Sequence, residues 1–178
     1  MTDTSIPNHK QMDWQASKKE VPIQSWQDRY NWVEDYQVSP DGEEIAAIVN
    51  KDEMEFTVCK NGEEWDDTFE KSWSLKFMPD GRLTALVSKD EEWTACVDGN
   101  CWESWFDFIW ALEACPDGSS IGAAVQKDME YGMAVDDRPW ETLYESITGM
   151  ILGNNGAAAA VVQVDPLGQA DLDAFNTG

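Results

Sequence analysis

Trp102–Gly118 reads WESWFDFIWALEACPDG, and this tryptophan-to-Pro-Asp-Gly segment decides the fold because the chain repeats it. Aligned on the first tryptophan, the copies are Trp26–Pro40 (WQDRYNWVEDYQVSP), Trp65–Pro79 (WDDTFEKSWSLKFMP), Trp102–Pro116 (WESWFDFIWALEACP) and Trp140–Asn154 (WETLYESITGMILGN). The interval is the same in all four. Each copy places an aromatic four residues after its tryptophan: Tyr30, Phe69, Phe106 and Tyr144. Two copies add a second tryptophan, Trp73 and Trp110.

The residues after each copy are equally periodic. A turn comes first, at Pro40-Asp41-Gly42, Pro79-Asp80-Gly81, Pro116-Asp117-Gly118 and, eroded, Asn154-Asn155-Gly156. Proline presets φ and glycine accepts the positive φ of a tight reversal. Next come apolar runs at Ile45–Val49, Leu83–Val87, Ile121–Val125 and Ala157–Val162, the first three closed by Lys51-Asp52, Lys89-Asp90 and Lys127-Asp128. A further short segment starts at Phe56, Trp93 or Tyr131 and ends at Asn61-Gly62, Asp98-Gly99 or Asp136-Asp137. Asn-Gly and Asp-Gly are the strongest short hairpin signals.

Short apolar strands, tight turns and a period of roughly 38 residues predict one four-stranded sheet per repeat rather than a helical solenoid. The fold class is therefore all-β, a small β-propeller-like array of about four blades. Three repeats are complete. The fourth blade is expected to be shared between the chain ends, from Ala157–Val164 and a leading piece at about Glu20–Val38, which would hide both edge strands. An open arc of three to four blades, its edges covered by a partner, is the alternative. The expected organisation is a flexible polar leader at 1–20, a repeat domain at 21–165 and a polar tail at 166–178.

Periodic tryptophans suit packing between neighbouring units, since an aromatic buries some 150–250 Å². Trp26, Trp65, Trp102 and Trp140 in the first slot, Trp73 and Trp110 in the second, and Trp93 are read as structural. Trp14, Trp32 and Trp105 break the register, and as out-of-phase tryptophans on an acidic surface they are the candidate partner contacts.

The chain carries 35 acidic residues against 12 basic ones, a formal charge of −23, together with ten tryptophans. Such a field repels phosphate backbones and anionic lipid, so nucleic acid and membrane surfaces are not the expected ligands. A basic protein partner is the natural complement. No run approaches the roughly 18 apolar residues of a bilayer span, and the N-terminus lacks a secretory pattern, so the expected location is cytoplasmic. Cys59, Cys96, Cys101 and Cys115 form no CxxC pair, and His9 is the one histidine. Cys96 and Cys101 face each other across a hairpin at Asp98-Gly99-Asn100, but in a reducing compartment free thiols are expected. No zinc, iron–sulfur or haem ligand set is read, and no nucleophile elbow, Walker loop, dinucleotide fingerprint or HExxH. No catalytic, cofactor-binding or metal residue is assigned.

Taken whole, the PDG turn, small-residue strand, Lys-Asp pair, aromatic strand, Asx-Gly turn and tryptophan resemble the WD40-like (PD40) blades of TolB-type propellers. Trp-started blades in a short acidic chain, with WDDTFEKSWSLKFMPDG and WESWFDFIWALEACPDG in tandem, are similar to the tryptophan-rich subunit (TmcD) family of the transmembrane electron-transfer complex of sulfate-reducing bacteria. The resemblance covers residues 20–165, with Asn154-Asn155-Gly156 its main departure. It implies a cofactor-free accessory subunit of sulfate respiration, on the cytoplasmic side of the inner membrane. Its partners would be iron–sulfur and cytochrome subunits, with homo-oligomerisation also open. The alternative function is a lectin-like propeller, which would need exposed periodic tryptophans.

Overall fold

The computed structural model describes residues 23–164. The expected leader, with Trp14, and the expected tail at 166–178 lie outside the described residues. A short helix, α1 (Gln24–Arg29), is followed by β1 (Trp32–Val38), β2 (Ile45–Asp52), β3 (Glu55–Lys60) and β4 (Glu63–Glu64), which form one antiparallel sheet in that order. The second sheet is β5 (Lys71–Phe77), β6 (Leu83–Lys89), β7 (Glu92–Val97) and β8 (Asn100–Cys101). The third is β9 (Phe108–Ala114), β10 (Ile121–Lys127), β11 (Glu130–Val135) and β12 (Arg138–Pro139), and the fourth holds β13 (Ile147–Leu152) and β14 (Ala158–Val162) alone. The chain is an all-β, propeller-like array of four units.

Turn chemistry sets this meander. In each PDG turn the glycine N–H donates to the carbonyl three residues back: Gly42 to Ser39, Gly81 to Met78 and Gly118 to Cys115, at 2.8–2.9 Å. The aspartate of each turn folds onto the backbone two residues on, Asp80 Oδ1 accepting from Arg82 N and Asp117 Oδ1 from Ser119 N, both at 3.0 Å, the Asx-turn geometry. The third hairpin of each sheet is a two-residue turn with φ positive at both residues: Asn61-Gly62, Asp98-Gly99 and Asp136-Asp137. This conformation matches the right-handed strand twist. The first residue of each pair also clamps the central strand. Asn61, Asp98 and Asp136 Oδ1 accept from the N–H of Ile45, Leu83 and Ile121 at 3.0, 2.9 and 2.9 Å. One small polar side chain thus fixes the register of three strands.

A second recurrent device carries no composition signal. The first strand of every unit has a register shift, and a residue with positive φ sits in it: Asp35, Ser74, Ala111 and Gly149. These β-bulges add local twist. Asp35 uses its position to reach across, its Oδ2 accepting from Leu75 N of the next sheet at 3.2 Å.

The sheets stack face to face. Ala46, Ile48 and Val58 of the first pack with Phe69, Leu83, Ala85, Val87 and Cys96. Leu86 and Ala95 of the second pack with Trp102, Phe106, Ile109, Val125 and Ala134. On the outer side of the first sheet Trp26 and Tyr30, brought by α1, cover Ala47, Val49 and Cys59. The helix takes the place a preceding sheet would occupy. Its Trp26–Tyr30 spacing equals that of the other copies, but no earlier strand exists there among the described residues for the segment to pair with. In the other copies the second aromatic bridges back to the third strand, as Phe56↔Phe69, Trp93↔Phe106 and Tyr131↔Tyr144.

Two expectations are corrected. Among the described residues the fourth unit is not shared as expected: Trp32–Val38 of the leading piece pairs with β2 through the local PDG hairpin, and β14 pairs with β13. Among the described residues no extended contact joins the first and fourth sheets, and those residues form an open arc. Cys96 and Cys101 are not free thiols but form a disulfide between directly opposed residues of β7 and β8. Cys59 and Cys115 are free and buried.

Glu64 holds the helix in place. Its carboxylate takes Lys51 at 2.8 Å, the Tyr30 hydroxyl at 2.9 Å and the Arg29 guanidinium. The Lys51 hydrogen bond leads in holding its carboxyl below the usual value, against the opposing cost of burial. A depressed carboxylate stabilises the fold above its unfolded pKa and loses that contribution as pH falls through the folded one. Acid should therefore release α1 below about pH 4.5, and Glu64→Gln should remove that step from a Trp26-monitored pH titration. Asp136→Ala should cost about 1–2 kcal/mol in urea denaturation, while Asp136→Asn, which keeps the acceptor as Asn61 does, should cost much less.

Candidate functional site: an aromatic rim on an acidic surface

Strand alternation puts Phe108 and Trp110 on one side of β9 and Ile109 on the other, and only Ile109 is buried. In β5 the same side carries Lys71 and Trp73. The register places Lys71 opposite Ser88 and Ser88 opposite Trp93, and in the third sheet Phe108 opposite Gln126 and Gln126 opposite Tyr131. Each of these two sheets thus lines up an aromatic of its third strand with the start of its first.

The rings meet. Trp73 contacts Trp93 and Phe108, each at 6.1 Å between centroids. Trp93 meets Phe108 edge-on at 6.2 Å, Phe108 stacks on Trp110 at 5.8 Å, and Trp110 meets Tyr131 at 6.2 Å. Five rings form a continuous rim across the second and third sheets. A smaller copy, Trp32 edge-on to Phe56 at 5.6 Å, stands on the first sheet. Offset and edge-on pairs hold such rings in fixed orientations at about 0.5–1.5 kcal/mol each. The rim is partly open to solvent, with Trp73 41% and Phe108 39% exposed, and in the smaller copy Trp32 is 49% exposed.

Charge frames it. At the strand ends beside Trp93 and Phe108 stand Asp90, Glu91, Glu92, Asp107 and Asp128, with two lysines, Lys89 and Lys127. Lys127 Nζ lies 2.5 Å from Glu92 Oε1 and 4.0 Å from Asp107 Oδ1. The Glu92 hydrogen bond leads in raising the Lys127 pKa, so this lysine is held charged by its neighbours and the remaining field is negative. A cleft of about 310 Å³ lined by Lys89, Asp90, Glu92 and Trp105 adjoins the rim.

The sequence candidates fall differently. Trp32 lies exposed in the smaller copy, half-buried Trp105 lines the cleft, and Trp14 is outside the described residues. Trp26 and Trp102 are buried between layers, while Trp65 and Trp140 are half-buried. Trp73 and Trp110, expected in the packing, belong to the rim instead. The physical reason is their position near the start of a first strand, which has a neighbour on one side only. The i, i+2 spacing of Phe108 and Trp110 was the available signal for this face.

What the rim can do is bind. Flat, partly exposed π-faces beside carboxylates suit cationic side chains or the apolar face of a sugar ring. Burial pushes the Cys59 thiol up, away from nucleophilic chemistry. Among the described residues no three His, Cys, Asp or Glu side chains group as a metal-binding set, and no helix is long and apolar enough to cross a membrane.

No protein-family model and no curated protein matches the chain. Among solved structures, it is similar to the β-propeller domain of the Trilobed protease from Pyrococcus furiosus, which has an open velcro topology. The identity is 14% and the TM-score 0.46, covering 69% of this chain and 46% of that one. It is also similar to TolB from Acinetobacter baumannii, at 15% identity and a TM-score of 0.40, covering 71% of this chain and 31% of that one. The chain spans less than half the length of either. The fold assignment rests on the strand pairing described above.

The contrast between rim and packing aromatics is measurable. Trp73→Ala, which loses two ring contacts at a partly exposed site, should cost about 1–2 kcal/mol, and Trp102→Ala should cost about 3–5 kcal/mol. Equal losses in urea denaturation would show that the rim is part of the core.

Proposed function

We propose that the chain is a non-catalytic interaction module whose aromatic rim docks a basic surface of a partner protein. The observation that carries this is the five-ring rim, partly exposed and framed by carboxylates, on a chain of formal charge −23. Charge complementarity orients and speeds the encounter, and aromatic burial supplies the lasting contact. The propeller-like array presents the rim on paired strands, so little order has to be gained on binding.

The repeat resemblance supports a finer reading. On it, the module is an accessory subunit of a membrane-associated electron-transfer complex, holding iron–sulfur and cytochrome subunits on the cytoplasmic side without a cofactor of its own. The Cys96–Cys101 bond stands against the cytoplasmic element of that reading, since disulfides persist mainly in oxidising compartments. Co-purification of haem and iron–sulfur subunits with the native protein tests membership. A monomer recovered alone counts against it.

Carbohydrate binding is the second reading, and the exposure of Trp73 favours it, because a lectin-like site needs open periodic tryptophans. Titrating a basic peptide and a glycan panel against tryptophan fluorescence separates the two. The interaction reading expects a saturable shift with the peptide that weakens with salt and is lost in Trp73→Ala with Phe108→Ala. A saturable shift with a glycan alone would replace it.

A further inference from the structure

Among the described residues the fourth unit has two strands where its neighbours have four, and the stack shows what a further strand would cover. In the first three units an aromatic pair is covered by the third strand of the sheet that comes after it. Trp26 and Tyr30 pack with Cys59 of β3, Phe69 with Cys96 of β7, and Trp102 and Phe106 with Ala134 of β11. The tryptophans also meet the next third hairpin: a Cβ on Gly62 would lie 3.7 Å from the Trp26 indole and one on Gly99 3.2 Å from that of Trp65. After Trp102, Asp137 accepts from the N–H of Glu103 and Ser104 at 2.8 and 3.0 Å. Trp140 and Tyr144 form the fourth pair, and among the described residues no third strand covers them. Tyr30, Phe69 and Phe106 are buried, whereas Tyr144 is half-buried. A cavity of about 280 Å³ lined by Val135, Arg138, Trp140, Asn155 and Ala158, among others, opens beside them.

The edge of β14 is ready to pair. Gln163 N donates to Ser146 O, and Ala157 O accepts from Gly153 N, so odd-numbered groups face β13. Antiparallel alternation then turns the N–H and C=O of Ala158, Ala160 and Val162 outward. Natural edges are blunted by charge, proline or bulges. Ile147–Val164 holds no charged residue and no proline, in a chain that is 26% charged.

The sequence of the turn that its neighbours use is not repeated after β14. In the second and third units that turn is Asp90-Glu91 and Asp128-Met129, each with φ positive at both residues. In the same register after β14 stand Asp165 and Pro166, and a proline ring fixes φ near about −65°.

We propose that the groove beside β14 is an acceptor for an extended strand of a partner protein. That strand completes the sheet by main-chain pairing and sets a side chain no larger than cysteine or alanine over Tyr144, as Cys59, Cys96 and Ala134 do elsewhere. Such strand addition takes affinity from main-chain hydrogen bonds and specificity from alternate side chains. The site is separate from the aromatic rim and does not depend on what the rim binds.

The test uses the full chain and, as probe, a synthetic peptide with the sequence of residues 129–137 (MEYGMAVDD), titrated by calorimetry. Saturable one-to-one binding is expected. The peptide with tryptophan at the Ala134 position should bind roughly tenfold or more weakly, because overpacking costs that much. Ala160→Pro, which removes an outward N–H and leaves pairing with β13, should weaken binding roughly tenfold. The proposal is overturned by no saturable binding, by equal binding of the bulky peptide, or by binding that appears only after residues 165–178 are removed. The last would assign the groove to the chain's own end. A concentration-dependent dimer that the peptide dissociates would make the occupant a second copy, and would overturn it as well.

Discussion

An aromatic pair wedged between one sheet and the next is the contact on which the rest of this structure depends. Sheets of this length are too narrow to bury enough surface alone, and the last strand of each four-stranded sheet is only two residues long. Phe69 and the pair Trp102–Phe106 convert that weakness into stacking, because each leaves its own sheet and packs on the apolar face of the next one. The bridge from the second aromatic back to the third strand, as at Trp93↔Phe106, anchors the wedge to the sheet it came from. The wedge works beside direct apolar packing, such as Ile48 and Val58 with Leu83 and Val87, and links such as Asp35 to Leu75 and Arg82 to the Gly118 carbonyl.

The wedge also explains the two ends. At the start, α1 delivers Trp26 and Tyr30 to the face a preceding sheet would cover, and Glu64 ties that helix down through Tyr30, Arg29 and Lys51. The first face is closed. At the other end Trp140 and Tyr144 are in place, but what should cover them is not among the described residues. The same interaction that finishes one end leaves the other with an open groove.

Much of this was legible in the residues. The four tryptophan-started copies, the PDG turns and the Asx-Gly hairpins gave strand order and period, because turn chemistry is local and each dipeptide admits few conformations. Three features were not legible. The bulges at Asp35, Ser74, Ala111 and Gly149 involve four different residue types, so no composition marks them. The pairing of β1 with β2 rather than with β14 depends on the neighbourhood of strands, which a period alone does not fix. The rim escaped because Trp73 and Trp110 are periodic, and periodicity says that a residue does the same thing in each unit without saying which side of the strand it faces. Cys96 and Cys101 were recognised as facing each other, and the expected reducing compartment, not the geometry, favoured free thiols.

The central claim is that three sheets are completed and locked by the aromatic wedge while the fourth, among the described residues, holds only two strands. Hydrogen–deuterium exchange on the isolated monomer, resolved to single amides, tests it most directly. The account predicts slow exchange at Ile121, Ala123 and Val125 in β10 and fast exchange at the equivalent outward amides of Ala158, Ala160 and Val162 in β14. Equal protection at the two sets would show that the fourth sheet is already complete, and would contradict it.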